Sequence, residues 1–218
     1  MRMKKFAVVL AGCGVYDGAE IQEAVLTLLA ISKQGAAYTI FAPDMEQHDV
    51  VNHLSGEEMK ESRNVLVEAA RIARGNILPL DAFRAEAFDA LIFPGGFGVA
   101  KNLSTFAFDS AEMKVHPEVE KAVQAMHRAG KPVGALCISP VIFARLFKGA
   151  ILTLGNDPES AGAVKRMGAE HRMTTHGEVV ADPKFNIFST PCYMLDASIR
   201  DIEKGAENIV RKMMAAME

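Results

Sequence analysis

The chain has 218 residues, half of them hydrophobic, and a formal net charge of −3 at pH 7. This length and hydrophobic content suffice for a sizeable core in a single domain over residues 1–218, and they exclude a disordered chain. The pI near 6.1 and the lack of a Lys/Arg cluster predict that the protein does not bind nucleic acid.

No apolar run approaches the roughly 18 residues of a membrane helix, and no secretory signal follows the first residues, so we expect no membrane insertion. The three cysteines are an odd number and lie far apart in the sequence. They indicate a reducing compartment rather than a disulfide framework. We therefore expect a cytoplasmic protein.

Short apolar runs alternate with amphipathic segments, which is the pattern of parallel strands connected by helices. The first unit is a strand over 5–11, a helix over 19–33 and a strand over 38–42, and it predicts a right-handed βαβ crossover. Further strands are predicted at 77–80, 90–93, 131–136 and 150–154. Further helices are predicted at 62–73, 117–129, 140–147, 158–167 and 195–216.

The first helix is expected to bury one face, which carries Ile21, Ala24, Val25, Leu28 and Leu29. Residues 45–61 show no clear period and are predicted to form a loop. Residues 178–180 and 185–189 flank Asp182-Pro183 and predict an antiparallel hairpin at a sheet edge. The fold class is therefore α/β, a doubly wound, mostly parallel sheet between helices, with ligands bound at the carboxyl ends of its parallel strands.

Cys137 lies between the predicted strand over 131–136 and the helix that starts at Pro140, and this arrangement predicts a nucleophile elbow. Ala135 and Ser139, two residues on either side, are small enough for the close return of the chain. The helix N-terminus should stabilise the Cys137 thiolate. The alternative is that Cys137 is a small buried hydrophobic residue.

Two other strand ends should reach the same crevice. Pro94-Gly95-Gly96 follows a buried strand, and its accessible N–H groups, with that of Ile138, could form an oxyanion hole beside the cysteine. The alternative is an ordinary glycine turn. Cys13 lies at the end of the first strand and could border the site, although packing in the core is the alternative.

Glu20 is the predicted acid partner of Cys137, because it starts the helix that follows the first strand. In a desolvated position its pKa would rise, and it could act as general base and acid. The alternative is a capping box with Asp17 as the N-cap residue and Glu20 at the third helical position.

Other kinds of site are less well supported. Gly12-x-Gly14-x-x-x-Gly18 resembles a dinucleotide fingerprint, but Asp17, Glu20 and Glu23 would repel a pyrophosphate at that helix start. His176 follows Cys137 too closely and enters a strand, so it does not suit a hydrolase triad. His171 and His176 lack a third ligand at a recognisable spacing, so we expect no metal site.

The chain resembles the ElbB/ES family, the isoprenoid biosynthesis enhancing branch of the ThiJ/PfpI, class I amidotransferase-like superfamily. The resemblance covers nearly the whole chain. The matching segments are 12–20 (GCGVYDGAE), 52–54, 63–66, 94–98, 101–103 and 131–137. It departs from the wider superfamily in two respects: Ser139 replaces a common glycine, and no histidine follows the elbow directly. These departures argue against peptidase and amidotransferase activity.

The resemblance implies a flavodoxin-like fold, a reactive Cys137, Glu20 as its partnering acid and an activity that needs no cofactor. A bacterial member of this family is described as a glyoxalase that converts glyoxal to glycolate. We therefore expect a small aldehyde as substrate, with Asn102 of the 101–103 segment as a further residue that lines the site. The alternative is a regulatory protein whose cysteine is oxidised. The resemblance and the apolar side chains of Phe106 and Phe108 also predict a homodimer.

Overall fold

The computed structural model describes residues 2–217, which form nine strands and eight α-helices. The strands are β1 (Lys5–Val9), β2 (Ala37–Ala42), β3 (Ile77–Pro79), β4 (Ala90–Phe93), β5 (Val133–Leu136), β6 (Ile151–Leu152), β7 (Glu170–His171), β8 (Val180–Asp182) and β9 (Ile187–Thr190). The helices are α1 (Ile21–Lys33), α2 (Val65–Ile72), α3 (Phe97–Lys101), α4 (Phe106–Asp109), α5 (Pro117–Arg128), α6 (Pro140–Leu146), α7 (Pro158–Arg166) and α8 (Ile199–Ala215).

The main sheet has seven strands in the order β3-β2-β1-β4-β5-β9-β8. All neighbours are parallel except β8 and β9, which form the antiparallel pair at one edge. The predicted α/β class and the edge hairpin are confirmed. The order β2-β1-β4-β5-β9 is the flavodoxin-like order, in which the connections reverse direction between β1 and β4.

The alternation of side chains along β1 explains how the sheet is covered on both sides. Phe6 and Val8 pack in the apolar layer that includes α1, α2 and α8, whereas Ala7 and Val9 pack in the layer that includes α5 and α6. All four side chains are fully buried. A strand buried on both faces reads as a continuous apolar run, which is why β1 is recognisable from sequence.

Two predictions about elements need correction, and two short helices are additional to those predicted. The predicted strand over 150–154 pairs only as Ile151–Leu152 with β7, in a separate two-stranded sheet. The long terminal helix starts at Ile199, after a 3₁₀ turn over Cys192–Met194. Helices α3 and α4 were not predicted, because segments this short carry little periodic signal. In residues 2–217, no helix has the length and apolar character that a membrane crossing requires.

Candidate active site

Cys137 lies on the tight turn that the sequence predicts between β5 and α6. Its backbone has φ 60°, a left-handed conformation that is uncommon for a residue with a side chain. Its N–H donates to the carbonyl of Thr190, and the buried Ser139 hydroxyl donates to the carbonyl of Pro94, 2.8 Å away. These bonds attach the elbow to the ends of both neighbouring strands and hold the cysteine in its strained conformation.

The acid beside the thiol is Glu23, in the first turn of α1. Its side chain is 0% exposed. Oε2 accepts from the N–H of Gly95 at 2.8 Å, Oε1 accepts from the N–H of Tyr193 at 3.2 Å, and the carboxyl group faces the Cys137 thiol. Burial raises the pKa of Glu23 to about 7, against the opposing effect of these N–H groups.

Glu20 has a different position from the one predicted. Helix α1 starts at Ile21, and Glu20 is its N-cap, whose carboxylate accepts from the N–H of Glu23 at 2.6 Å. The alternative, a capping box with Asp17 as the N-cap residue, is also wrong, since the buried Asp17 accepts instead from the N–H of Val51. Glu20 is partly exposed and faces the cavity described below, whereas Glu23 contacts the cysteine.

The buried face of α1 is also rotated from the predicted one. Ile21, Val25 and Leu29 are 45%, 47% and 43% exposed. Glu23 and Thr27 are buried in their place, together with Ala24 and Leu28. The sequence feature that indicates the burial of Glu23 is its position four residues before Thr27 and next to Ala24, which places the three residues on the face that packs inward.

The Cys137 thiol has a raised pKa, so the stabilisation of its thiolate that we expect from the helix N-terminus is outweighed by other effects. Burial and the neighbouring Glu23 carboxylate raise it well above the usual value, and they outweigh the backbone N–H groups of Gly96 and Ile138, which face the sulfur. Two acids this close cannot both be ionised, so they form a pair that carries at most one negative charge near neutral pH.

The two glycines after β4 have separate roles. The N–H of Gly95 is used by Glu23, so the prediction that it serves an oxyanion hole is wrong. A methyl group at Gly95 would lie 2.4 Å from Cys137 Cβ and 2.6 Å from Glu23 Oε2, so this position needs a glycine. Gly96, with φ 105°, and Ile138 keep their N–H groups directed at the cysteine. They remain candidates for holding an oxyanion.

A cavity of about 520 Å³ opens beside Cys137 at the carboxyl ends of β1, β4 and β5. This is the edge of the sheet at which ligands are expected in such folds. Its apolar walls consist of Val15, Phe97, Ala100, Phe106, Ala107, Ile138 and Met194. Among residues 2–217, its acidic lining residues are Glu20, Asp157 and Glu159, and no histidine lines it. A second cavity, of about 350 Å³, lies against α5 and contains no thiol.

Cys13 and Asn102 do not line the cavity, so both of these predictions are wrong. Asn102 donates to the carbonyls of Ala11 and Asp17 and accepts from the N–H of His48. Its buried amide thus connects three segments of backbone. Cys13 is half-buried, and burial and the charge of Glu68 raise its pKa. Among residues 2–217, no group of three or more His, Cys, Asp or Glu side chains could hold a metal ion.

The loop over 12–18 does not form a phosphate cradle. A methyl group at Gly18 would lie 2.3 Å from the backbone nitrogen of Cys13, so this glycine permits a tight fold of the loop on itself. The carboxylate of Glu20 occupies the start of α1, where a pyrophosphate would bind in a dinucleotide site.

No protein-family profile matches the chain. A human protein named glutamine amidotransferase-like class 1 domain-containing protein 3, mitochondrial, is 44% identical over 96% of this chain and 82% of its own. The rat ES1 protein homolog, mitochondrial, is 46% identical over 96% of this chain and 83% of its own. A crystal structure of an isoprenoid biosynthesis protein with an amidotransferase-like domain, from Ehrlichia chaffeensis, has a TM-score of 0.90 at 38% identity, covering 97% of this chain and 99% of that one.

The names of these relatives contradict the predicted cytoplasmic localisation, because both mammalian proteins are named as mitochondrial. The prediction depended on unpaired cysteines and on the lack of apolar export signals. Those features suit any reducing compartment, so they could not identify one. A more distant structure, glyoxalase III of Candida albicans, has a TM-score of 0.66 at 15% identity, covering 99% of this chain and 98% of that one, and shows a shared fold.

Proposed function

The chain belongs to the family of ES1 and glutamine amidotransferase-like class 1 domain proteins, and on this premise we propose that it is a cofactor-independent glyoxalase. The observation that carries the proposal is the buried pair of Glu23 and Cys137, which faces two backbone N–H groups beside a cavity without a lining histidine. The distant likeness to a protein named glyoxalase III concerns the fold and adds no evidence about chemistry.

The first step is addition of the thiol to one aldehyde carbon of glyoxal. Glu23, as carboxylate, takes the thiol proton while the bond between Sγ and carbon forms. The N–H groups of Gly96 and Ile138 stabilise the developing negative charge on the carbonyl oxygen. Protonation of that oxygen by Glu23 gives the hemithioacetal and restores the carboxylate.

The second step moves a proton between the two carbons. Glu23 removes the proton from the carbon bonded to sulfur and gives a proton to the neighbouring carbon. At the same time, the hydroxyl group on the first carbon loses its proton, and the carbonyl oxygen on the second carbon gains one. The product is a hydroxy thioester of Cys137. Water then breaks the bond between sulfur and carbon, so that glyoxal and one water become glycolate and a proton, and the thiol is regenerated. One acid with a pKa of about 7 suits these transfers in both directions.

The function is tested by measuring glycolate formation from glyoxal by the purified protein. Cys137→Ala and Glu23→Gln should each reduce kcat/KM by roughly 10²–10⁴, the usual contribution of a nucleophile or general base. Glu20→Gln should lose far less, because Glu20 caps α1. Cys13→Ser is the control for loss of a thiol outside the cavity. Turnover by Cys137→Ala equal to that of the unaltered protein would contradict the proposal.

A second candidate is a redox-responsive protein, favoured by the two N–H groups that face Sγ. They could stabilise oxygen atoms added to sulfur by a peroxide, which is reduced to water as the thiol becomes a sulfenic and then a sulfinic acid. The protonated, 8% exposed thiol argues for slow oxidation. Peroxide titration with intact-mass measurement distinguishes the two. Selective oxidation of Cys137 together with negligible glyoxal turnover would favour the redox role.

A further inference from the structure

The cavity beside Cys137 is much larger than glyoxal requires. Its volume is about 520 Å³, which lies in the range of roughly 300–1,000 Å³ typical of pockets for drug-sized ligands. Glyoxal occupies little more space than a few water molecules, at about 30 Å³ each. The cavity therefore has room for a substituent on the aldehyde that reacts with the thiol.

The walls indicate what kind of substituent fits. Val15, Phe97, Phe106 and Met194 contribute apolar surface around the thiol. An apolar linker or ring would remove this surface from water at a gain proportional to the area buried. The part of a substrate next to its aldehyde should accordingly be hydrocarbon.

The charged groups of the lining are all of one sign. They are the carboxylates of Glu20, Asp157 and Glu159, and no lysine, arginine or histidine accompanies them. Throughout residues 2–217, none of these three is within 4.0 Å of a basic side chain. Elsewhere such contacts do form, as between Asp49 and Lys101 at 2.7 Å. His171 is near enough for its charge to act on Asp157, but burial lowers the pKa of His171. The lining of the cavity therefore carries an excess of negative charge around an apolar interior.

Two helix N-termini reduce this charge without cancelling it. Helices α1 and α7 start next to Glu20 and Asp157, which cap them. Each N-terminus is equivalent to roughly half a positive charge, so together they offset about one of the three carboxylates. Hydrogen bonds from Ser160 lower the pKa of Asp157, which keeps it ionised. The lining of the cavity therefore keeps a net excess of carboxylates over positive groups.

On the basis of the proposed function, we propose that the cavity selects 2-oxoaldehydes that carry a cationic group, such as an ammonium, on an apolar linker. Anionic aldehydes of the same size should be rejected. Opposite charge attracts the first kind of substrate to the cavity, and like charge repels the second. The reaction at Cys137 and Glu23 is the one described above, since the charged group takes no part in bond formation.

The first test measures access to Cys137 without any turnover. Cationic (trimethylammonioethyl) and anionic (sulfonatoethyl) methanethiosulfonates are reacted with the whole protein, and Cys137 modification is followed by peptide mass. Each rate is divided by the rate of the same reagent with free mercaptoethanol. The normalised ratio should favour the cation by roughly tenfold at low salt and decrease as salt is added. A ratio of one would overturn the inference whether or not the protein is a glyoxalase.

The second test compares phenylglyoxals with a para trimethylammonium, hydrogen or carboxylate substituent. The values of kcat/KM should decrease in that order. Turnover of the neutral compound without any charge order would contradict the inference and leave the proposed function intact. Loss of all turnover with the reagent ratio preserved would contradict the function alone.

A charge-reversal variant assigns the effect to the cavity. Glu159→Lys should reduce both the reagent ratio and the charge order severalfold, since Glu159 is exposed and does not cap a helix. The matched control is Glu86→Lys, which makes the same change of net charge just before β4, at the opposite end of the strands. Equal effects of the two variants would show that overall charge, and not the cavity, sets the preference.

Discussion

The candidate site lies between two strand-to-helix connections. The local sequence predicts the conformation of one of them well and that of the other poorly. In the β5–α6 elbow, small residues, Cys137 and Pro140 all lie within a few positions, and the structure has the turn that they predict. In the β1–α1 connection, the helix begins later than expected and buries a different face. The comparison shows that the nucleophile is placed by local chain geometry, whereas its acid is placed by distant contacts.

The cost of burying Glu23 explains this difference. A carboxyl group removed from water is unfavourable unless other groups compensate it. The compensating donors, the N–H groups of Gly95 and Tyr193, belong to segments far along the chain. No pattern within α1 identifies these donors, so a sequence-based assignment gives the apolar residues more weight than the spacing of Glu23 and places the acid outside.

The largest effect is expected from a substitution at Gly95, which lies between the two connections. Gly95→Ala adds a methyl group 2.4 Å from Cys137 Cβ and 2.6 Å from Glu23 Oε2. Either the acid or the elbow must move, so glyoxal turnover should fall at least roughly 100-fold and stability by about 1–3 kcal/mol. Glycolate assays and chemical denaturation measure the two effects.

Gly162→Ala in α7 is the matched control for that substitution. The nearest neighbour of its added methyl would be the flexible end of Arg166, 3.4 Å away. It should be neutral or stabilising by up to about 1 kcal/mol. An active and equally stable Gly95→Ala protein would show that Glu23 and Cys137 are less closely packed than the structure indicates.

The second prediction concerns the burial of Glu23 and its dependence on pH. Its pKa is about 7 in the folded protein and 4.5 as its ordinary value. The folded protein therefore holds a proton that the unfolded chain releases, and the resulting stabilisation, fully present below pH 4.5, is lost as pH rises through 7. The difference of about 2.5 between the pKa values corresponds to roughly 3 kcal/mol.

Glu23→Gln removes this titration, so its stability relative to the unaltered protein should increase by up to about 3 kcal/mol between pH 4.5 and 8. Denaturant titrations at several pH values measure the difference, and Glu86→Gln, at an exposed position before β4, serves as the control. In the unaltered protein, glyoxal turnover should rise with pH through about 7 as Glu23 becomes a base. Identical pH slopes for the unaltered and Glu23→Gln proteins would exclude a buried, titrating Glu23.

Sequence was a sufficient guide where a signal is local and repeated. The buried parallel strands, the edge hairpin and the turn at Cys137 are of this kind. The sequence was an insufficient guide where a residue forms hydrogen bonds with groups that are distant in the sequence. Gly95 was assigned to an oxyanion and instead holds Glu23, and Asn102 was assigned to the cavity and instead connects backbone segments. Such roles depend on tertiary contacts that propensity and spacing do not encode.

The smallest expected effect on stability concerns the outer face of α1. Phe106 lines the cavity, and Phe108 is 52% exposed but stacks on His48, with 4.2 Å between the ring centroids. Ile21, Val25 and Leu29 instead form an exposed apolar stripe with a spacing of four residues. We infer that this stripe contributes to a homodimer, because two antiparallel copies of α1 centred on Val25 would bring Ile21 of each copy against Leu29 of the other.

Val25→Glu should therefore convert a dimer to a monomer in light scattering at micromolar concentration. Stability of the monomer should change by no more than about 0.5 kcal/mol, since Val25 is 47% exposed. Val67→Glu, at a 61% exposed position of α2, is the control and should leave the mass unchanged. The inference would be contradicted if the unaltered protein were a monomer, or if the dimer persisted in Val25→Glu. Either result would show that the orientation of α1 that buries Glu23 leaves Ile21, Val25 and Leu29 in contact with solvent alone.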